Sequence, residues 1–227
     1  MLSINTIESI RFLIAMIAAY FPTVTLSGYL EAWTARKMGD RSEYVAEFIS
    51  LNPFVHANFL GLASILLAIF ADLKFFIILG FGQIIPINLQ AITGHNRWAK
   101  LCAILFARSL VSLLILIFAV AILVFLGGGI LPGASVSVTN LGSLTIALQL
   151  ICTALIFLNI LSFILYTVYG LFKLILVYAW PDGMVTSGFS IFMFYAIPLL
   201  MFFLLAPYLK SVLVFLIYGI EAYLRNI

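Results

Sequence analysis

Residues 143–178 form one apolar run in which Lys173 is the sole charged side chain. As a helix rising about 1.5 Å per residue, the run is about 54 Å long, well beyond the ~30 Å hydrocarbon core of a bilayer. Other long apolar runs stand at 6–21, 101–126 and 188–224. The 227 residues are 65% hydrophobic and 8% charged, and the mean hydropathy is +1.26. A water-soluble fold has no interior large enough for so much apolar surface. The expected fold is an all-α polytopic membrane protein with five or six spans, some kinked or re-entrant. It forms a single transmembrane domain over 1–227, with a core at about 6–127 and C-terminal helices in 143–227.

Several features organise the chain. Pro22 should bend the first span, because it removes a backbone donor and crowds the preceding turn. Arg36 and Lys37 close that helix on the side expected to be cytoplasmic, with Gly39 as its C-cap. Val45, Phe48, Ile49 and Leu51 suit a short interfacial helix that Asn52-Pro53 would stop. Asp72 and Lys74 interrupt the next apolar stretch as a polar turn. Gly80, Gly82, Pro86 and Asn88 make 75–92 a poor straight helix, so a bent or re-entrant segment is expected. Gly94 to Lys100 reads as a basic connector, and 101–126 as one span. The uncharged loop 127–142 fits the opposite side of the membrane. The run 143–178 is either one long tilted helix or two pieces broken near Gly170, with Lys173 as a snorkelling anchor. Pro198 and Pro207 are candidate kinks in 188–224. MLSINTIESIRF carries no basic leader followed by a cleavage site, so no removed signal peptide is expected. Cys102 and Cys152 read as small buried hydrophobes. A net charge of +3, spread along the chain, offers no nucleic-acid patch.

Polar, small and turn-forming residues gather between Pro22 and Gly61. Gly39-Asp40 is followed by Leu51-Asn52-Pro53-Phe54-Val55-His56, and later by Gly82-Gln83-Ile84-Ile85-Pro86-Ile87-Asn88. In order and spacing these segments resemble the site-2 protease family of zinc intramembrane proteases. That family carries an HExxHA metal helix, then Gly-Asp, Leu-Asn-Pro-x-x-His, and a Gly-x-x-x-Pro-Val-x-Asn segment forming a sheet-like substrate edge. The slot for HExxH here reads Ser27-Gly28-Tyr29-Leu30-Glu31, so both histidines and the catalytic glutamate are replaced. The family's Leu-Asp-Gly turn, source of its third ligand, has Pro181-Asp182-Gly183 as counterpart, and Pro-Asp-Gly is also a common turn sequence. Ser27, Gly28, Glu31 and Asp182 are therefore degenerate former metal positions, and no cofactor is expected. The resemblance covers roughly residues 22–115.

Ionisable groups within membrane spans are costly and usually find partners. Glu31 stands in the slot of the second histidine, and Arg108 lies in a span expected to pack beside it. They either pair across the former metal pocket or each snorkel to the surface. What the resemblance implies is a catalytically inactive scaffold, regulatory or structural subunit, embedded in a bacterial inner membrane or an organelle membrane. Its partners would be lipid and other integral membrane proteins. Gly82, Gln83, Pro86 and Asn88 mark the segment expected to receive a partner's extended backbone. The alternative is a transporter or channel component with Glu31, Asp72, Lys74 and Arg108 along a polar path. An active protease would need ligands from another chain.

Overall fold

The computed structural model describes residues 6–70, 82–126 and 142–179. They are helical with no strand: α1 (Thr6–Met38), α2 (Glu43–Glu47), α3 (Pro53–His56), α4 (Phe59–Phe70), a 3-10 turn (Leu89–Ala91), α5 (Arg97–Leu105), α6 (Ala107–Phe125) and α7 (Ser143–Ala179). Three of these helices, α1, α6 and α7, are long and apolar enough to cross a membrane, against the five or six spans expected of the whole chain. Candidate positions Asp72, Lys74 and Asp182, and the expected spans in 188–224, lie outside the described residues.

The three long helices pack pairwise into the body of the protein. Ala15, Met16, Ala19, Tyr20 and Val24 of α1 share a cluster with Ala154, Leu158 and Leu161 of α7 and with Ile65 of α4. Further along, Ala32 and Ala35 share a cluster with Val177, so α1 and α7 run parallel. Ala119 and Leu123 of α6 meet Cys152 and Ile156, while Ser109 accepts a hydrogen bond from Thr167 at 3.1 Å. Helix α6 is therefore antiparallel to both. One end of the bundle gathers Arg36, Lys37, Trp98 and Tyr178, with the last two rings 6.0 Å apart. Basic residues and exposed aromatics thus share this end of the bundle.

Local chemistry explains the elements. Asn159, Ser162, Tyr166, Gly170 and Lys173 of α7 fall at helical spacing on one face and are all buried. That face turns toward α1 and α6, and Asn159 donates to Thr23 Oγ1 at 2.9 Å. Helix α7 is unbroken for 37 residues, about 55 Å. Gly170 is not a break. A Cβ there would come 2.8 Å from the Leu105 carbonyl oxygen, so glycine allows α5 and α7 to touch. Lys173 is buried with its Nζ 4.4 Å from the Tyr169 ring centroid, which corrects its reading as a surface anchor.

Two other expectations change. Asn52-Pro53 starts a helix instead of stopping one: Asn52 Oδ1 accepts from Phe54 N at 3.1 Å and proline takes the first turn, where its missing donor costs nothing. The run 101–126 is two helices meeting at Phe106, and Arg97–Lys100, read as a connector, is the first turn of α5. Left-handed Asn96 (φ 63°) makes the entry. At the end of α1, by contrast, Gly39 adopts a positive φ of 129° as a C-cap should. Helix α1 runs on through Pro22.

Candidate functional site

The site lies toward the basic end of the bundle, where α1, α3, α6 and α7 meet the non-helical segment 82–88, which turns at Pro86 through a bond from Ile87 N to the Ile85 carbonyl at 2.9 Å. Its centre is Arg108, 5% exposed, in the first turn of α6. Nε donates to Glu31 Oε2 of α1, itself 4% exposed. Nη2 donates to the Gln83 carbonyl at 2.6 Å, and Nη1 faces the Tyr166 hydroxyl at 3.5 Å. The guanidinium carbon stands 5.2 Å from the centroid of the Tyr166 ring. A planar fork with several donors can serve three elements at once, which an ammonium on a flexible stem does less well. Glu31 and Arg108 thus come together in the interior; neither reaches the surface.

The same centre fixes the start of segment 82–88. Gly82 N donates to the Tyr166 hydroxyl at 3.1 Å, and Gln83 N donates to the His56 carbonyl at 2.6 Å. The Gly82 Cα is pressed between α1 and α3: a Cβ would lie 2.9 Å from the His56 oxygen and 3.0 Å from Val24 Cβ. Asp40, 1% exposed, fixes the other end. Its Oδ2 accepts from Asn88 N at 2.7 Å and its Oδ1 from Ser42 N at 2.9 Å. Asn88 then caps the 3-10 turn through Gln90 N at 3.1 Å. Between these clamps Ile85 is buried in the core, whereas Gln83, Pro86 and Asn88 are exposed. The N–H and C=O of Ile84 and the C=O of Pro86 make no hydrogen bond among the described residues.

His56 closes the remaining side. Its Nε2 lies 2.7 Å from the Ser50 carbonyl, which requires the proton on Nε2 and leaves Nδ1 a bare acceptor. Nδ1 is buried without a partner among the described residues and points at Gly28. A Cβ at residue 28 would overlap Nδ1 and lie 3.1 Å from Cε1. The imidazole therefore occupies the volume that any side chain at position 28 would need. Burial holds its pKa below the ordinary histidine value; the bond to Ser50 opposes this and the Arg108 charge adds to it.

These residues do not fit the zinc that the resemblance would bring. Ser27 Oγ is turned back to the Val24 carbonyl at 3.3 Å, Gly28 has no donor, and Glu31 is engaged by a guanidinium that would repel a dication. Among the described residues, no three His, Cys, Asp or Glu side chains converge. Of the residues singled out in the sequence, Gly28, Glu31, Asp40, His56, Gly82, Gln83, Asn88 and Arg108 share this one network. Ser27 borders it, Gly39 shapes the turn into Asp40, and Asn52-Pro53 position α3. The sequence reading missed Tyr166, which links α7 to both Arg108 and Gly82. Its signal was the spacing of Asn159, Ser162 and Tyr166 on one helical face of an otherwise apolar run.

No family model, curated protein or solved structure matches this chain.

Proposed function

We propose that this protein is a catalytically inactive, site-2-protease-like integral membrane protein that holds an extended or transmembrane segment of another membrane protein. It works as a scaffold, regulatory or structural subunit of a larger complex, in a bacterial inner membrane or an organelle membrane. The observation that carries the reading is the segment 82–88, clamped at both ends and left with unpaired backbone groups in its middle. Such an edge can accept a partner's main chain by strand-type pairing, with Pro86 and Gln83 on the outer side. The ion pair in place of a metal set supports the inactive assignment. Residue 28 offers no general base and residues 27 and 31 no histidine pair, which speaks against an activated water at this centre. Arg108 and Glu31 are sealed and mutually satisfied, which suits a positioning role better than a polar path for transport.

Purification from native membranes in mild detergent tests the proposal. The expected result is a defined complex larger than the monomer, containing at least one other integral membrane protein and lost on Ile84→Pro substitution, which removes the central N–H donor. A monodisperse monomer in every mild detergent, or a complex indifferent to changes at 84 and 86, would contradict it.

A further inference from the structure

At the basic end of the bundle, α1 and α2 enclose an open cavity of about 780 Å³ lined by Trp33, Arg36, Lys37, Arg41, Ala46 and Ile49. Its charged wall holds three cations. None of them forms a salt bridge among the described residues. Asp40 spends both oxygens on backbone N–H groups, and neither it nor Glu43 or Glu47 lines the cavity. The opposite wall is apolar, from Ala46 and Ile49, and Trp33 forms the side with Lys37 Nζ 5.7 Å from its ring centroid. Arg36, Lys37 and Arg41 are exposed, and Trp33 is 43% exposed, so the mouth is open.

Unpaired cations beside an apolar wall and an interfacial indole match one ligand chemistry: a phosphate ester whose anionic group meets the guanidinium and ammonium groups while its carbon skeleton rests on Ala46, Ile49 and Trp33. We infer that this cavity binds a phosphate-bearing anion, and that an anionic phospholipid headgroup is the form available at this boundary. This inference does not depend on how segment 82–88 is used. A headgroup seated there would tie α2 to the end of α1 and hold the Asp40 turn between them.

The test is ligand-induced stabilisation of the purified full chain in a zwitterionic detergent. The probes are short-chain phosphatidylglycerol, short-chain phosphatidylcholine and inorganic phosphate. Phosphatidylglycerol should give a saturable rise in unfolding temperature, phosphatidylcholine none. Each cation near a membrane surface changes binding by about fivefold, so R36Q/K37Q/R41Q should weaken apparent affinity on the order of a hundredfold. A46W places a bulky ring against the apolar wall and keeps every charge, so it should weaken the saturable effect, while R11Q at the far end should leave it intact. If inorganic phosphate reproduces the rise, the anion site stands and its ligand is a free phosphate. Equal stabilisation by phosphatidylcholine, or a phosphatidylglycerol effect unchanged in both A46W and the triple variant, overturns the inference.

Discussion

Replacing Arg108 by methionine is the sharpest probe of the buried centre. The change keeps a long, flexible side chain in the pocket but removes the charge that Glu31 faces. A carboxylate left buried and unpaired costs about 3–5 kcal/mol, and the Gln83 carbonyl losing its donor costs a further ~1–3 kcal/mol. Adding Glu31→Leu removes the stranded charge, and replacement of a buried ion pair by apolar groups is often nearly neutral. The double variant should then retain only the carbonyl penalty of about 1–3 kcal/mol. Reversible denaturant unfolding in mixed micelles, run on wild type, both single variants and the double, gives the coupling energy directly. The expected coupling is at least about 2 kcal/mol, with E31L/R108M more stable than R108M. Additive losses, or an R108M cost below about 1 kcal/mol, would show that the pair does not hold the four elements together.

The other predictions follow from the same network. Gly28→Ala drives a methyl group into the His56 ring and should cost about 1–3 kcal/mol by overpacking, read as a lower unfolding midpoint; a tolerated alanine contradicts the close contact. Asp40→Asn retains one carbonyl acceptor for two N–H donors, so it should cost about 1–3 kcal/mol and raise hydrogen exchange at the Asn88 amide. His56 is kept neutral in the folded protein, so its contribution is fully present above about pH 6.5 and is lost as pH falls from there toward its depressed folded value, at up to ~1.4 kcal/mol per pH unit. Unfolding measured across pH 5 to 8 should show this slope in wild type and lose it in H56F.

The membrane class and the end of α1 at Arg36, Lys37 and Gly39 were legible in the sequence, whereas the pairing of Glu31 with Arg108 stood open there against each side chain snorkelling to the surface. Hydropathy and the cost of burying charge are properties of the residues themselves, so they survive without coordinates. The polarity of Asn52-Pro53 was not legible, because proline closes one helix as readily as it opens the next, and only the Asn52 cap decides which. Nor was the fate of Gly170: in an apolar run glycine marks either a break or a close helix approach, and the approaching backbone of Leu105 lies far away in sequence. The split at Phe106 leaves no apolar gap to notice. His56 against Gly28 was hidden for a related reason, since a glycine reads as an absence until the ring that fills its space is seen.

Whether the edge at 82–88 receives a partner's backbone can be read by photo-crosslinking from residues 84 and 86 in native membranes, with residue 11 as the distant control. A discrete protein adduct is expected at 84 and 86, persisting in membranes and absent at 11. Adducts to lipid alone at 84 and 86, or the same protein captured equally from residue 11, would contradict it.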